Sequence, residues 1–301
     1  MDGALFTRIK DILQEYRFRR VVGAVIFGSR ATGKERVSSD IDLLVVCDGI
    51  NIKPNRRGEE IAQIKKQLPE FPLDILLLTP AEVESNFRNH NPLFLDIAVE
   101  GVVLIDNHRW LQSLMGETKD YIDRRGIKKT DHGWIFPVTP GVATYLSQVS
   151  NKDFSMAMLK DGERDYLIGQ SLIQGKYFDK AVYHFQQAVE KCAKSILIAM
   201  GIFEKTHFVG AVLRANLSAD VVPSGWREEL ARLAEISESM EPEVSLSRYP
   251  GIIEDRLWLP FEEYEKDDAE KAKEKSAYVL AAAKRFIDEW FSARGCPFMG
   301  E

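Results

Sequence analysis

Three aspartates carry the chemistry that this sequence can offer. Asp40 and Asp42 stand two apart in Ser39-Asp-Ile-Asp-Leu-Leu-Val-Val, and Asp74 interrupts the apolar run from Phe71 to Thr79. Alternation along a strand sends residues 40 and 42 out of one face. Two like charges about 4 Å apart at an effective dielectric near 20 repel by roughly 4 kcal/mol, so the pair needs a shared proton, a basic partner or a metal. Upstream, the β-branched run Val21 to Phe27 stops at Gly28-Ser29. It reads as a buried strand closed by a turn. Gly28 lets the backbone approach a ligand closely, and Ser29 opens a short helix whose free N–H groups suit an anion such as a triphosphate.

Carboxylates beside a phosphate-binding turn suit magnesium, a hard cation held by carboxylates together with substrate phosphates. With Asp74 on a neighbouring strand as third acid, two ions could be held. One would orient the nucleotide phosphates and the other would activate an attacking hydroxyl for in-line displacement. Each part also has an ordinary reading: a turn, a solvated or capping Asp-x-Asp, a strand-end Asp. Their order along the chain is what favours a metal–nucleotide site.

The surrounding periodicity supplies elements to position these groups. Leu5, Phe6, Ile9, Ile12, Leu13 and Tyr16 recur at helical spacing and predict a helix over 4–18, leading into a strand at 21–27. A second amphipathic helix, 58–68, lies between the two acid-bearing strands, and Val102 to Ile105 reads as an edge strand. The expectation is a small mixed sheet with helices packed on it. Over 116–157, charges and then Pro137, Pro140 and Gly141 break both periodicities. This reads as a helix followed by an irregular connection, which Trp134 and Phe136 mark as packed. From Met158 the pattern is helical: 158–174, with Leu159, Tyr166, Leu167, Leu172 and Ile173 on one side, 177–200, a short helix to about Asn216, 225–240 and 267–293. Short connections between such helices predict an up-and-down bundle.

Gly-Ser, about ten residues, Ser-Asp-x-Asp and then a lone strand Asp resembles the nucleotidyltransferase superfamily of DNA polymerase beta. Gly-Ser-Arg-Ala-x-Gly at 28–33 is similar to its minimal members, over roughly residues 1–110. Residues 175–195, centred on Gln186-Gln187-Ala188-Val189-Glu190-Lys191, resemble the signature helix of HEPN domains. Thr206-His207 and Ser247-Arg248-Tyr249-Pro250 extend that match. The two-part layout is similar to kanamycin nucleotidyltransferases.

The resemblance implies an α/β nucleotidyltransferase fold over 1–115, a connecting segment over 116–154 and an all-α HEPN bundle over 155–295. It implies transfer of a nucleoside monophosphate, most simply AMP from ATP although another nucleoside triphosphate is open, to an acceptor hydroxyl. Asp40, Asp42 and Asp74 would be catalytic and hold Mg2+, two ions in all, with Asp74 helping to deprotonate the acceptor. Gly28 and Ser29 would position the β- and γ-phosphates, and Ser39 would orient the metal strand. The acceptor is left open. It could be a protein side chain, as in toxin–antitoxin modules in which a Tyr is adenylylated, or a small molecule, as in aminoglycoside resistance. A catalytically quiet nucleotide-binding protein is a third reading, against which the intact acids weigh.

Glu190 reads as an exposed helix acid, with a base on the acceptor as its alternative; His184 and His207 read as packed, solvated or capping. Ribonuclease members of the HEPN group carry an Arg and a His separated by four to six intervening residues on a late helix. Arg125 to His132 is the one such spacing here and falls in the connection, so the bundle is not expected to cleave RNA.

The 301 residues allow one large domain or two ordinary ones. A net charge of −6 gives no global basic field, so nucleic acid is not an expected partner. The basic runs Arg17 to Arg20 and Arg124 to Lys129 read as solvated faces. Cys47, Cys192 and Cys296 are too far apart to suggest zinc or a disulfide framework. No apolar run reaches the ~18 residues needed to span a bilayer, and the first residues lack a signal-peptide core. A cytoplasmic protein with no membrane contact is expected. Surplus apolar surface on 178–198, together with the HEPN resemblance, predicts a homodimer.

Overall fold

A computed structural model describes residues 3–16, 18–34, 39–144, 148–219 and 222–292. The chain forms two compact units, 1–126 and 127–301.

In the first unit α1 (Gly3–Glu15) buries Leu5, Ile9 and Leu13, one per turn. Then come β1 (Arg20–Phe27), the one-turn α2 (Ser29–Thr32), β2 (Ile41–Asp48), α3 (Gly58–Gln67), β3 (Leu73–Leu78), α4 (Pro80–Arg88), α5 (Pro92–Glu100), β4 (Val102–Asp106) and α6 (Trp110–Arg125). The strand order is β3-β2-β1-β4. β2 and β3 are parallel and β1 runs antiparallel to both β2 and β4, so the sheet is mixed and β4 is an edge, as the sequence predicts.

Alternation divides the sheet between two cores. Ala24, Ile26, Leu43, Val45, Ile75 and Leu77 face α1 and α3. Val25, Phe27, Leu44, Val46 and Leu78 face Val83, Phe87, Phe94, Ile97, Leu111 and Leu114 of α4, α5 and α6. The sequence reading did not place α4 and α5. Two signals were available: Thr79 and Glu82 make a capping box, and Asn91 caps α5 with Pro92 in the first turn.

The second unit begins where the sequence suggests an irregular connection. Residues 116–125 complete α6, whereas β5 (Lys128–Lys129) and β6 (Gly133–Ile135) pair into a small sheet with β7 (Ile202–Glu204). Trp134 and Phe136, 1% and 3% exposed, are packed as expected. The helices are α7 (Asn151–Gln174), α8 (Phe178–Ala199), and, after β7, α9 (Val209–Asn216), α10 (Arg227–Met240) and α11 (Glu243–Leu246). The hairpin β8 (Gly251–Ile253) and β9 (Arg256–Trp258), α12 (Pro260–Glu263) and α13 (Lys266–Trp290) complete the described chain.

On α7, Leu159, Tyr166, Leu172 and Ile173 pack half-buried against the helical core as the sequence predicts, and Leu167 does not. The fully buried residues of this helix are Asn151, Ser155, Gly162, Asp165 and Gly169, while Leu167 is 54% exposed. Small residues let α8 come close: a Cβ on Gly169 would lie 2.6 Å from the Phe185 ring, and one on Gly162 would lie 3.1 Å from Cys192 Sγ. Ser155 donates to the Ser195 carbonyl at 2.8 Å and Asn151 to the Ala199 carbonyl at 2.9 Å. Backbone proximity and cross-helix hydrogen bonds add to the apolar packing of Leu159, Tyr166, Leu172 and Ile173. α8 is buried over much of its circumference, the polar Asp179, Gln186, Glu190 and Ser195 included, because α7, α9, α10 and α13 all pack against it.

Candidate active site

The parallel register places Asp42 of β2 opposite Asp74 of β3, and the antiparallel register places Phe27 of β1 opposite Asp42. Both acids therefore continue the face that carries Leu44, Val46, Leu76 and Leu78, beyond the end that the helices cover. Asp42 is partly buried and Asp74 is exposed. Asp40 is exposed and lies one residue ahead of β2, so of the three acids the strand register pairs only two. The Ile41 amide donates to the Pro72 carbonyl at 2.7 Å, which starts the β2–β3 ladder at this point.

Gly28 closes β1 with φ 72° and ψ −151°, a region open essentially to glycine alone. A Cβ there would lie 2.1 Å from Asp42 Oδ2. The turn thus lies directly against the carboxylate, so the glycine turn and the acid are neighbours in space as well as in sequence order. Thr32 Oγ1 donates back to the Gly28 and Ser29 carbonyls, and Gly33, also at positive φ, closes the turn through Lys34 N to Ser29 O at 3.0 Å. Gly28→Ala is expected to cost about 1–3 kcal/mol of stability from the backbone alone. It should also push Asp42 aside, reducing transfer more steeply than the melting temperature; parallel thermal denaturation and rate measurements check this.

Among the described residues no three of His, Cys, Asp and Glu converge as a metal-holding group. The donor set still suits a hard cation. Two carboxylates in register, beside a glycine cradle that a side chain would fill, supply oxygen ligands and leave the remaining positions to substrate phosphates.

At the other end of the same strands the scaffold is held by a residue that carries no signal in the sequence. Arg57 is 1% exposed. Its guanidinium donates to both Glu82 oxygens at 2.8 Å, to the Leu77 carbonyl at 2.9 Å and, through Nε, to the Asn51 carbonyl at 2.7 Å. It joins the segment after β2 to the C-terminal end of β3 and the N-terminus of α4. Burial opposes ionisation of Glu82, but the hydrogen bonds from Arg57 and Thr79 outweigh it and hold the carboxyl below its usual range. A lone arginine in a polar stretch gives no periodic signal.

In the second unit Glu190 corrects the expectation of an exposed acid: it is 5% exposed. Lys194 donates to its Oε1 at 2.8 Å and His207 Nδ1 lies 2.9 Å from the same oxygen, while Gln186 donates to Oε2 at 3.3 Å. A carboxylate so enclosed holds α8 to the segment before α9. Asp165 is likewise shared by His184 at 2.8 Å and Lys191 at 2.6 Å. Burial disfavours its charge, yet those two partners hold its carboxyl below the usual range. Arg248 lies over the rings of Tyr183 and Tyr249. Arg125 ends α6 in the first unit and His132 precedes β6 in the second, so the one Arg–His spacing is split between units. Cys47 and Cys192 are buried and unpaired, and burial pushes both thiols up to about 12. Cys296, Arg17 and the residues between Lys34 and Ser39 lie outside the described residues. Among the described residues no helix is long and apolar enough to cross a membrane.

Comparison with known proteins places both units. The family model for polymerase beta nucleotidyltransferases matches residues 7–109, and that for HEPN domains matches residues 155–286. A Methanocaldococcus jannaschii protein named as a candidate toxin is 33% identical over 144 residues, spanning 48% of this chain and 95% of that protein. Among solved structures, a nucleotidyltransferase-like protein from Exiguobacterium sibiricum is 13% identical over 94% of this chain and 74% of its own, with a TM-score of 0.38. An archaeal HEPN homologue is 22% identical over 44% of this chain and 97% of its own, with a TM-score of 0.34. A toxin–antitoxin crystallised with AMP-PNP is 16% identical over 40% of this chain and 87% of its own, with a TM-score of 0.29. At such scores none of these three bears on the chemistry.

Proposed function

Because this chain is a nucleotidyltransferase of the polymerase beta family joined to a HEPN domain, we propose that it transfers a nucleoside monophosphate, most simply AMP from ATP, to an acceptor hydroxyl. The acceptor oxygen bonds to the α-phosphorus, the bond from that phosphorus to the β-phosphate oxygen breaks, and pyrophosphate leaves. The observation that carries this reading is the pairing of Asp42 with Asp74 beside the Gly28 turn. Gly28 and Ser29 present backbone to the β- and γ-phosphates. Asp42 and Asp40 hold Mg2+, and Asp74 completes the set and receives the acceptor proton. Bound magnesium supplies charge neutralisation on the phosphates and lowers the barrier to attack.

The acceptor is a protein side chain in a toxin–antitoxin-like setting, a reading that the toxin-named relative supports. The enzyme works in the cytoplasm as a homodimer paired through its C-terminal unit. The test uses ATP labelled at the α- or the γ-phosphate, with Mg2+, cell lysate and an aminoglycoside panel, followed by mass spectrometry of whatever carries label. Label from the α-position on a protein, with none from the γ-position, is the expected result. Label on an aminoglycoside would replace the protein acceptor with a small molecule. No transferred label from either position would leave nucleotide binding without transfer.

A further inference from the structure

Arg30, on the one-turn helix that follows the Gly28-Ser29 turn, is half-buried. Its Nη2 donates to the Ser39 carbonyl at 3.0 Å. Its Nε is buried without a hydrogen-bond partner among the described residues, and the guanidinium forms no ion pair with any of them. A half-buried cation with no carboxylate partner among the described residues and one unsatisfied donor is a costly arrangement. The contact it does make spans nine residues, from the phosphate-side turn to the backbone one position before Asp40 and three before Asp42. Ser39 lies where the chain enters β2, and the ladder to β3 begins only at Ile41. Arg30 thus makes a contact that ties the entry to β2, at the Ser39 carbonyl, to the helix that follows the Gly28-Ser29 turn.

We infer that Arg30 is a positioning residue of the transfer site, which sets Asp40 and Asp42 against the Gly28-Ser29 turn by clamping the Ser39 carbonyl. The inference rests on the transfer reading above. Nothing in the position requires arginine for packing: the residue beside it, Ala31, is the one whose side chain enters the core. A guanidinium keeps its charge at any working pH and gives a directed hydrogen bond to a carbonyl. Displacing a reacting group by about 1 Å is enough to cost roughly 100-fold in rate.

The test compares wild type with Arg30→Leu and Arg30→Lys in three measurements: melting temperature, Mn2+ binding followed by electron paramagnetic resonance, and transfer rate. Arg30→Leu is expected to lower kcat about 10- to 100-fold. Its KM for the nucleotide should stay within about threefold, its Mn2+ binding should weaken, and its melting temperature should hold. Arg30→Lys retains a donor for the Ser39 carbonyl and is expected to recover part of both losses. Unchanged kcat and Mn2+ affinity in Arg30→Leu would overturn the inference. So would equal damage in both variants together with a lowered melting temperature, which is the signature of a purely structural role. A wild type that binds neither Mn2+ nor nucleotide would fail earlier, overturning the transfer reading and this inference with it.

Discussion

Asp42→Asn is expected to reduce nucleotidyl transfer by at least about 10²–10³-fold, the scale on which removal of one preorganised charge-stabilising group acts, while the protein stays folded. Asp42 is the residue on which the site converges: opposite Asp74 in the parallel ladder, opposite Phe27 in the antiparallel one, and 2.1 Å from where a Cβ on Gly28 would stand. The amide keeps the shape and one oxygen but loses the charge that a hard cation requires. Its neighbour Asp74 is a like charge on the adjacent strand, so the substitution also removes repulsion, and the melting temperature should hold or rise. Thermal denaturation alongside the transfer assay checks both halves. A variant that unfolds, or one that transfers at the wild-type rate, contradicts the assignment.

The largest effect on stability is expected at Arg57. Arg57→Ala leaves Glu82 without its cation and frees the Leu77 and Asn51 carbonyls. Removing one partner of a buried pair costs about 3–5 kcal/mol. The lower figure applies here, because Glu82 keeps 28% of its side chain in contact with solvent. The pair also fixes a pH dependence. The Glu82 carboxyl is held below its ordinary value in the folded protein, so its contribution is complete above the unfolded value, about 4.3. It is lost as pH falls through the lowered folded value. Urea denaturation should therefore show a gap of about 3 kcal/mol between wild type and Arg57→Ala at pH 7, narrowing in acid below that window. A gap under about 1 kcal/mol at pH 7 would place Arg57 among ordinary surface pairs.

These two residues also mark what could and could not be read from sequence. Asp42 and Asp74 are conspicuous because a charged residue inside an otherwise apolar strand has few explanations, and Gly28 because a glycine ends the run that leads to them. The register that pairs the two acids needed the fold. Asp40 shows the limit of alternation: it shares the motif with Asp42, yet the strand begins one residue after it. Arg57 was silent for the opposite reason, since its role depends on three segments that meet only in the folded unit.

In the helical unit, the large apolar residues of α7 other than Leu167 pack where their spacing predicts, but its fully buried seam includes Ser155, Gly162 and Gly169. Small residues pack by letting backbones approach and carry little hydrophobic signal. From sequence Glu190 reads as exposed because an acid on a helix usually is. Lys194 and Gln186, each four residues away, were the local hint that it could be enclosed, and His207 supplies the rest from outside the helix.

The most direct test of the central claim is calorimetric titration of the full-length protein with ATP, with and without Mg2+. A site built on Asp42 and Asp74 beside the Gly28 turn predicts binding that strengthens at least about tenfold with Mg2+, a difference of roughly 1.4 kcal/mol, and that Asp42→Asn loses this strengthening. Equal ATP affinity with and without Mg2+ in the wild type would contradict the account.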